Sequence, residues 1–342
     1  MRILVLGAGA VGSFLGWAVA RGGGDTILVR RGHDGGANSR RPLTVVDPAG
    51  RMSTVEVGVV GGVGGVVAAP PDVVIVAVRQ YDLPAALEAL RALPRTAVLT
   101  AQNGVGAEES AQSVRPAGPL LAASVTASVD RDPDGTVRWL RRGGVGLAAV
   151  RGEADAVLEP LASALRAADM PVRRYGVAAA MKWSKLVANL VANATSGILD
   201  VDPRDIYADP RLFEVERAQL REALAVMRAQ RLRPVDLPGA PVRLLALATV
   251  LPAPLSRAAF RRVVGSARGG KDPSLRGAVR LGGNTEVGWL NGAVERAGAV
   301  HSVSTPVNAA LARLVMEASG DEDRRAWFRR RPDRLLAEIG SR

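Results

Sequence analysis

The sequence predicts an α/β protein: a doubly wound, mostly parallel sheet domain followed by an all-α C-terminal domain. Strand-like and helix-like patterns alternate through the first half of the chain. Runs such as Val73-Val74-Ile75-Val76-Ala77-Val78 are apolar at every position, as a parallel strand covered on both faces must be. Strand signals then vanish beyond about residue 177. A chain of 342 residues is long enough for two cores of ordinary size. The boundaries read as 1–175 for the sheet domain, 176–320 for the helical domain and 321–342 for a basic C-terminal helix or tail.

The elements follow in order. Arg2-Ile3-Leu4-Val5-Leu6 is a strand with no long apolar leader or cleavage site beside it. A helix pattern over about 10–22 leads to strands at 26–29, 43–47 and 53–60. The last two form a hairpin, because Asp47-Pro48-Ala49-Gly50 is turn chemistry. Gly61-Gly62-Val63-Gly64-Gly65 precedes no helix and reads as a surface loop. Strand 72–78, helix 82–93, strand 97–100, helix 106–114 and strand 119–128 continue the alternation. Val137 to Leu147, around Gly143-Gly144, reads as a second hairpin; helix 153–168 and a strand at 171–174 close the domain. The remaining patterns are helices at 177–197, 209–231, a proline-interrupted region at 234–265, 274–281, 286–299, 305–319 and 322–338.

Composition removes several chemistries. Without cysteine there are no disulfides, thiolate metal sites or cysteine nucleophiles, and a reducing, cytoplasmic setting fits. His33 and His301 are the only histidines, so no metal centre is expected. The net charge is +12, but the arginines are scattered apart from Arg324-Arg325 and Arg329-Arg330-Arg331, and no aromatics interleave them to stack bases. No nucleic-acid partner is expected, and no apolar run is long enough to span a bilayer. A positive field suits an anionic cofactor and a small acidic substrate; a homodimer is compatible with the sequence. The only lysines are Lys182, Lys185 and Lys271. Arginine keeps its proton in a protein and lysine can give it up, so these positions point to a need for a titratable amine.

Gly7-Ala8-Gly9-Ala10-Val11-Gly12 is a GxGxxG between the first strand and the first helix, the dinucleotide-binding context of a Rossmann-type domain. Its glycines allow the tight turn, the approach of a pyrophosphate and close helix–strand packing. Strand 26–29 ends on Arg30-Arg31, where an acid would bind the ribose 2′-hydroxyl of NAD. Two guanidinium groups there favour the 2′-phosphate of NADP(H). Arg79 and Gln102-Asn103-Gly104 follow later strands, at the carboxyl edge where open α/β sheets bind ligands.

At 3.6 residues per turn, Lys182, Lys185, Asn189 and Asn193 share about a quarter of one helix face, and Ser196 continues it. Solvent faces elsewhere in the chain are rich in Arg, Glu and Asp, so this amine-and-amide stripe reads as ligand-facing. Reduction of a ketone builds negative charge on oxygen and needs a proton there, which a lysine of lowered basicity can supply. Further on, Glu286 in Thr285-Glu286-Val287-Gly288-Trp289-Leu290-Asn291-Gly292 opens a helix, and Ser274 lies twelve residues before it.

Together these segments resemble the ketopantoate reductase (2-dehydropantoate 2-reductase) family: the N-terminal GxGxxG, Gln102-Asn103-Gly104, Trp183 and Lys185-Leu186 with Asn189 and Asn193, and Thr285-Glu286 with Leu290-Asn291-Gly292, in family order and spacing. The resemblance implies NADPH-dependent reduction of a 2-oxo acid, as in pantothenate biosynthesis, with Lys185 as proton donor. It implies Asn103, Asn189, Asn193 and Ser274 near the substrate, Asn103 also near the nicotinamide, and Glu286 at the cofactor–substrate junction. It places Arg79, where the family usually has lysine, near the cofactor phosphate, and Val129 along the cofactor. The acid usual after the serine is missing from Ser274-Leu275-Arg276-Gly277-Ala278, and Gly288 replaces another; both departures bear on the substrate. The alternatives are a dehydrogenase or imine reductase for another small substrate, and a non-catalytic NADP-binding regulatory protein.

Overall fold

The computed structural model describes every residue except 31, 33–38, 116, 268–271 and 341–342. The chain forms two compact units: Met1–Gln102 with Gly106–Lys182 and Leu237–Gly239, and Asn103–Val105 with Trp183–Asp236 and Ala240–Arg342.

The first unit is built on one sheet. In chain order it contains β1 (Arg2–Leu6), α1 (Ala10–Arg21), β2 (Asp25–Val29), β3 (Arg40–Val46), β4 (Met52–Val60), β5 (Val73–Val76), α2 (Leu83–Ala89), β6 (Ala97–Thr100) and α3 (Ala107–Val114). Then follow β7 (Leu120–Val125), β8 (Ser128–Arg131), β9 (Val137–Arg141), β10 (Val145–Arg151), α4 (Asp155–Ala167) and β11 (Val172–Tyr175). The strand order is β11-β10-β7-β6-β5-β1-β2-β4-β3-β9-β8. From β1 the chain first winds outward to β2 and later returns to β5 on the other side, each pairing being parallel. The gap between those two connections is the switch point at which such sheets bind ligands.

Successive residues of β1 and β5 serve opposite cores. Ile3, Val5, Val73 and Ile75 join the α1 and α4 side, while Leu4, Val74 and Val76 join the α2 and α3 side. The unbroken apolar runs are therefore alternation between two buried faces. Phe14 and Trp17 of α1 stack at 5.9 Å, and Trp139 of β9 meets Phe14 edge-on at 5.1 Å. The β3, β4, β8 and β9 strands thus fold over α1.

The Asp47 turn does close a hairpin, β3 against β4 in antiparallel register, with Asp47 accepting from the Ala49 and Arg51 N–H groups. The second expected hairpin is corrected. β9 pairs with β3 and β8, while β10 pairs with β7 and β11. Gly143 and Gly144 carry the chain across: a Cβ on Gly143 would lie 2.5 Å from the Thr126–Ala127 backbone, and one on Gly144 2.1 Å from the Pro171 oxygen. The single strand expected over 119–128 is two strands, because β7 and β8 have different partners. The glycine-rich stretch after β4 is a short 3-10 turn, Val63–Val66, with its two valines buried.

Among the described residues, no strand follows Tyr175. α5 (Ala178–Leu190) starts in the first unit and continues into the second. The rest are α6 (Asn193–Leu199), α7 (Pro203–Ala208), α8 (Pro210–Ala229), α9 (Val242–Val250), α10 (Ala253–Ala267), α11 (Ser274–Leu281), α12 (Asn291–Val300), α13 (Pro306–Gly320), α14 (Glu322–Phe328) and α15 (Pro332–Gly340). Proline in the first turn and aspartate at the N-cap start α7 and α8. Tyr207, Phe213 and Phe260 pack as a ring cluster with centroids 5.7–6.2 Å apart. Three expected helices change: 177–197 breaks after Leu190, 286–299 begins only at Asn291, and 322–338 divides at Arg329–Arg331. Among the described residues, no helix is long and apolar enough to cross a membrane, and no cluster of His, Asp or Glu could hold a metal ion.

Gly12 packs so tightly that an added Cβ would stand 2.0 Å from the Gly7 oxygen and 3.0 Å from a Val5 methyl, whereas at Gly9 it would meet nothing within 4 Å. Gly12→Ala is expected to cost about 1–3 kcal/mol or more of unfolding free energy, and Gly9→Ala less than about 0.5 kcal/mol. Denaturant titration of the two variants measures both; equal losses would contradict this packing.

Candidate active site

The glycine turn is built by contact. Gly7 has φ +106°, and a side chain there would lie 2.6 Å from the Ala77 and Val78 backbone of the segment after β5. Only glycine satisfies both constraints. Gly12 lets α1 descend onto this turn. Gly9 has no such internal reason: it is the N-cap of α1, exposed, and its missing side chain leaves open space. The helix start has no side-chain cap and no acid in its first turn. Leading N–H groups and the positive end of the helix dipole therefore meet that space, which fits a diphosphate. Ala8, Ala10 and Val11 line the same turn, half-buried.

Arg30 is exposed just past β2, its backbone N–H bound to the Val60 oxygen at 2.9 Å. Arg31 lies outside the described residues. Arg79 is exposed after β5, at the start of a 3-10 turn. Val129 is buried on β8, in register with Trp139.

Lys182 departs from its expected place in the ligand-facing stripe. It is buried. Its Nζ lies 3.1 Å from Glu108 Oε1 and donates to the backbone oxygen of Gln102 at 2.7 Å and more weakly to that of Ala123 at 3.4 Å. Thr100 Oγ1 donates to the same Glu108 oxygen at 2.6 Å. A carboxylate shut away from water needs a cation, and Lys182 supplies it while fixing the carbonyl directly before Asn103. Sequence reading missed Glu108 because an acid in a first helical turn is ordinarily just solvated.

In the second unit, Asn103, Asn189 and the turn after Glu286 come together. Asn189 Nδ2 donates to Asn103 Oδ1 at 3.3 Å, one helical turn after Lys185 on α5. Gly104 has φ +81°, and a Cβ there would lie 2.2 Å from the Trp289 oxygen; Val105 N–H donates to that oxygen at 3.3 Å. Lys185 and Asn189 are half-buried. Glu286 is buried at the N-cap of the 3-10 turn Val287–Trp289 and not in the first turn of α12, which corrects its expected setting.

Asn193 lies beyond a break in the helix. Ala192 is left-handed, with φ 51°, and interrupts the continuous helix that the polar stripe requires. Buried Glu216 of α8 holds the break: it accepts from Ala192 N–H and Thr195 Oγ1 at 2.6 Å each and from Gln219 Nε2 at 2.8 Å. Asn193 then faces α11. Its Oδ1 accepts from Leu275 N–H at 3.0 Å, and its Nδ2 donates to Ser274 Oγ at 3.3 Å. Ser196 is buried on α6. Asp200, at the end of α6, ties down α11 by accepting from Arg276 Nε at 3.1 Å and Arg280 Nε at 2.6 Å. Burial pushes its pKa up, but these guanidinium hydrogen bonds outweigh burial and hold it below the ordinary value. An open depression of about 640 Å³ beside Asp200, Asp205, Asp209 and Arg276 contains none of the predicted site residues.

A Rossmann-type sheet with a phosphate-ready glycine turn, followed by a helical unit carrying an amine and amides, defines the class of nicotinamide-dependent oxidoreductases. Within it, the chain belongs to the ketopantoate reductase PanE/ApbA family, whose model matches residues 3–152 and whose C-terminal model matches residues 178–319. It is 29% identical to the 2-dehydropantoate 2-reductase of Halobacterium salinarum over 94% of this chain and all of that one. It is 30% identical to the Mycobacterium tuberculosis 2-dehydropantoate 2-reductase over 68% of this chain and 74% of the relative. A crystal structure of a PanE/ApbA family ketopantoate reductase from Ralstonia eutropha superposes with TM-score 0.75 at 25% identity, covering 95% of this chain and all of that one. D-mandelate dehydrogenase with NADH and anilino(oxo)acetate shares the fold, with TM-score 0.75 at 19% identity over 96% and 99% of the two chains. The chain is thus a 2-dehydropantoate 2-reductase-like oxidoreductase of a family of nicotinamide-dependent 2-oxo-acid reductases.

Two predictions test the joints of the site. Lys182→Met strands Glu108 and is expected to lower stability by about 3–5 kcal/mol; adding Glu108→Gln should restore part of it, and full stability in the single variant would contradict the pairing. Asp200→Asn removes a carboxylate whose folded pKa is depressed. Its contribution is present above the ordinary carboxylate pKa of about 4 and is lost as pH falls through the lower folded value. The stability gap between wild type and variant, followed by urea titration, should be constant near neutrality and close below about pH 4.

Proposed function

We propose that this protein reduces a small 2-oxo acid to the 2-hydroxy acid with NADPH, and that Lys185 supplies the proton. The carrying observation is the Asn103–Asn189 hydrogen bond, which joins the turn after β6 to the lysine helix one turn from Lys185. When bound, the reduced nicotinamide supplies a hydride to the carbonyl carbon. Lys185 gives its proton to the carbonyl oxygen as negative charge builds there, and the resulting neutral amine regains a proton from water. Asn103 and Asn189, already oriented on each other, offer amide donors and acceptors to the carbonyl and carboxylate. Asn193 and Ser274 form a second polar pair for the far end of the substrate, and Glu286 accepts from a substrate hydroxyl or the carboxamide of the cofactor. Gly7 to Gly12 cradle the pyrophosphate, Val129 lines the cofactor, and Arg30, Arg31 and Arg79 favour the extra phosphate of NADPH.

2-Dehydropantoate is the leading substrate, supported by the relatives over most of their length. A second reading, another 2-oxo acid, is favoured by the segment Ser274-Leu275-Arg276-Gly277-Ala278 and by Gly288, which carry no carboxylate where the family pattern has acids. Initial rates of NADPH oxidation with 2-dehydropantoate, an aromatic 2-oxo acid and a cyclic imine separate these readings. Lys185→Ala is expected to lower kcat by about 10²–10⁴-fold while the Kd for NADPH, followed by fluorescence, stays nearly constant. Unchanged turnover would remove Lys185 from the mechanism.

A further inference from the structure

The strand directions bring a second arginine to the end of β2. β4 runs parallel to β2, β3 reverses, β9 follows β3, and β8 reverses again. β8 therefore points the same way as β2, and its last residue, Arg131, stands at the same carboxyl edge as Arg30. These outer strands fold over α1, as the Phe14–Trp139 contact shows, so the sheet is curled enough to close the distance. A Cβ on Gly135 would lie 3.2 Å from Arg131 Nη2 and 3.7 Å from Arg30 Nη2. Two guanidinium groups from positions a hundred residues apart thus reach one point.

The surrounding carboxylates are already engaged. Asp132 is held by Arg138 at 2.6 Å, and Asp134 accepts from Thr136 N–H and Oγ1 at 2.8 and 3.1 Å. Asp130 accepts from the backbone N–H of Arg131 at 3.0 Å. Among the described residues, neither Arg30 nor Arg131 makes an ion pair. Arg131 is half-buried and anchored through Nε to the Gly135 oxygen at 3.4 Å, so its terminal nitrogens stay available. Burial, and then the charge of Arg30, lower its pKa against the smaller opposing charge of Asp134. A pair of converging cations is unfavourable by itself, with Asp134 offsetting only part of the repulsion, and becomes favourable when a doubly charged oxyanion bridges them.

We propose that Arg131 and Arg30 form a clamp for the phosphate on the adenosine ribose, with Arg131 a determinant of NADPH over NADH. The inference rests on the NADPH reading above and adds a residue that GxGxxG-based reasoning does not reach. Arg131→Ala, Arg131→Lys and Arg30→Ala are to be compared with wild type by kcat/KM for NADPH and for NADH, and by titration with 2′-phospho-ADP-ribose against ADP-ribose. Arg131→Ala is expected to lower the NADPH/NADH preference at least about tenfold and to weaken only the phosphorylated fragment, with Arg131→Lys intermediate. If wild type prefers NADPH, and Arg30→Ala but not Arg131→Ala erodes that preference, the clamp is overturned and the NADPH reading stands. If wild type uses both cofactors equally, the NADPH reading falls and the clamp falls with it.

Discussion

In the first unit, the start of α1 lies against the turn that leaves β1, and that turn lies against the backbone after β5. Gly7 and Gly12 are the two glycines of this turn at which a side chain would collide with main chain. Because β5 adjoins β1 while the chain has first gone to β2, this contact sits at the switch point of the sheet. It fixes where the uncapped end of α1 points, and hence where an anion is welcome. The outer strands depend on the same helix, since Phe14 and Trp17 give β9 a surface to fold onto.

Around that frame, buried or partly buried charges act as joints. Glu108 with Lys182 holds the carbonyl before Asn103. Glu216 holds the break between the lysine helix and α6. Asp200 holds α11 through two arginines, and Glu222 of α8 caps the start of α13 by accepting from the Val307 and Asn308 N–H groups. Each joint exchanges solvation for a small set of fixed hydrogen bonds, which places a side chain more narrowly than apolar packing does. Asn103, Asn193 and Ser274 lie directly beside these joints.

The strands β1, β2, β5 and β6 are legible because each declares itself by an apolar run between turn signals, whereas their order in the sheet is not. The Asp47 hairpin was legible because its turn residues are local in action. The hairpin read at Gly143-Gly144 was wrong for the opposite reason: those glycines answer to Thr126 and Pro171, distant in sequence, and pass the chain between partners. In the helical half, the polar stripe presupposes one uninterrupted helix. Nothing local to Ala192 announces its left-handed backbone; a glutamate twenty-four residues on makes it favourable.

The sequence by itself determined the class of fold, the glycine turn between β1 and α1 and the family, because these are written in short-range patterns of residue type and spacing. Only the tertiary structure decided which polar groups are buried joints. Lys182 and Lys185 look equivalent three residues apart, yet one is buried against Glu108 and the other is half-buried on α5. Arg131 looks like any hairpin arginine until strand reversals bring it to Arg30. Burial and long-range pairing set the role of a charged group, and neither is a property of its neighbours in the chain.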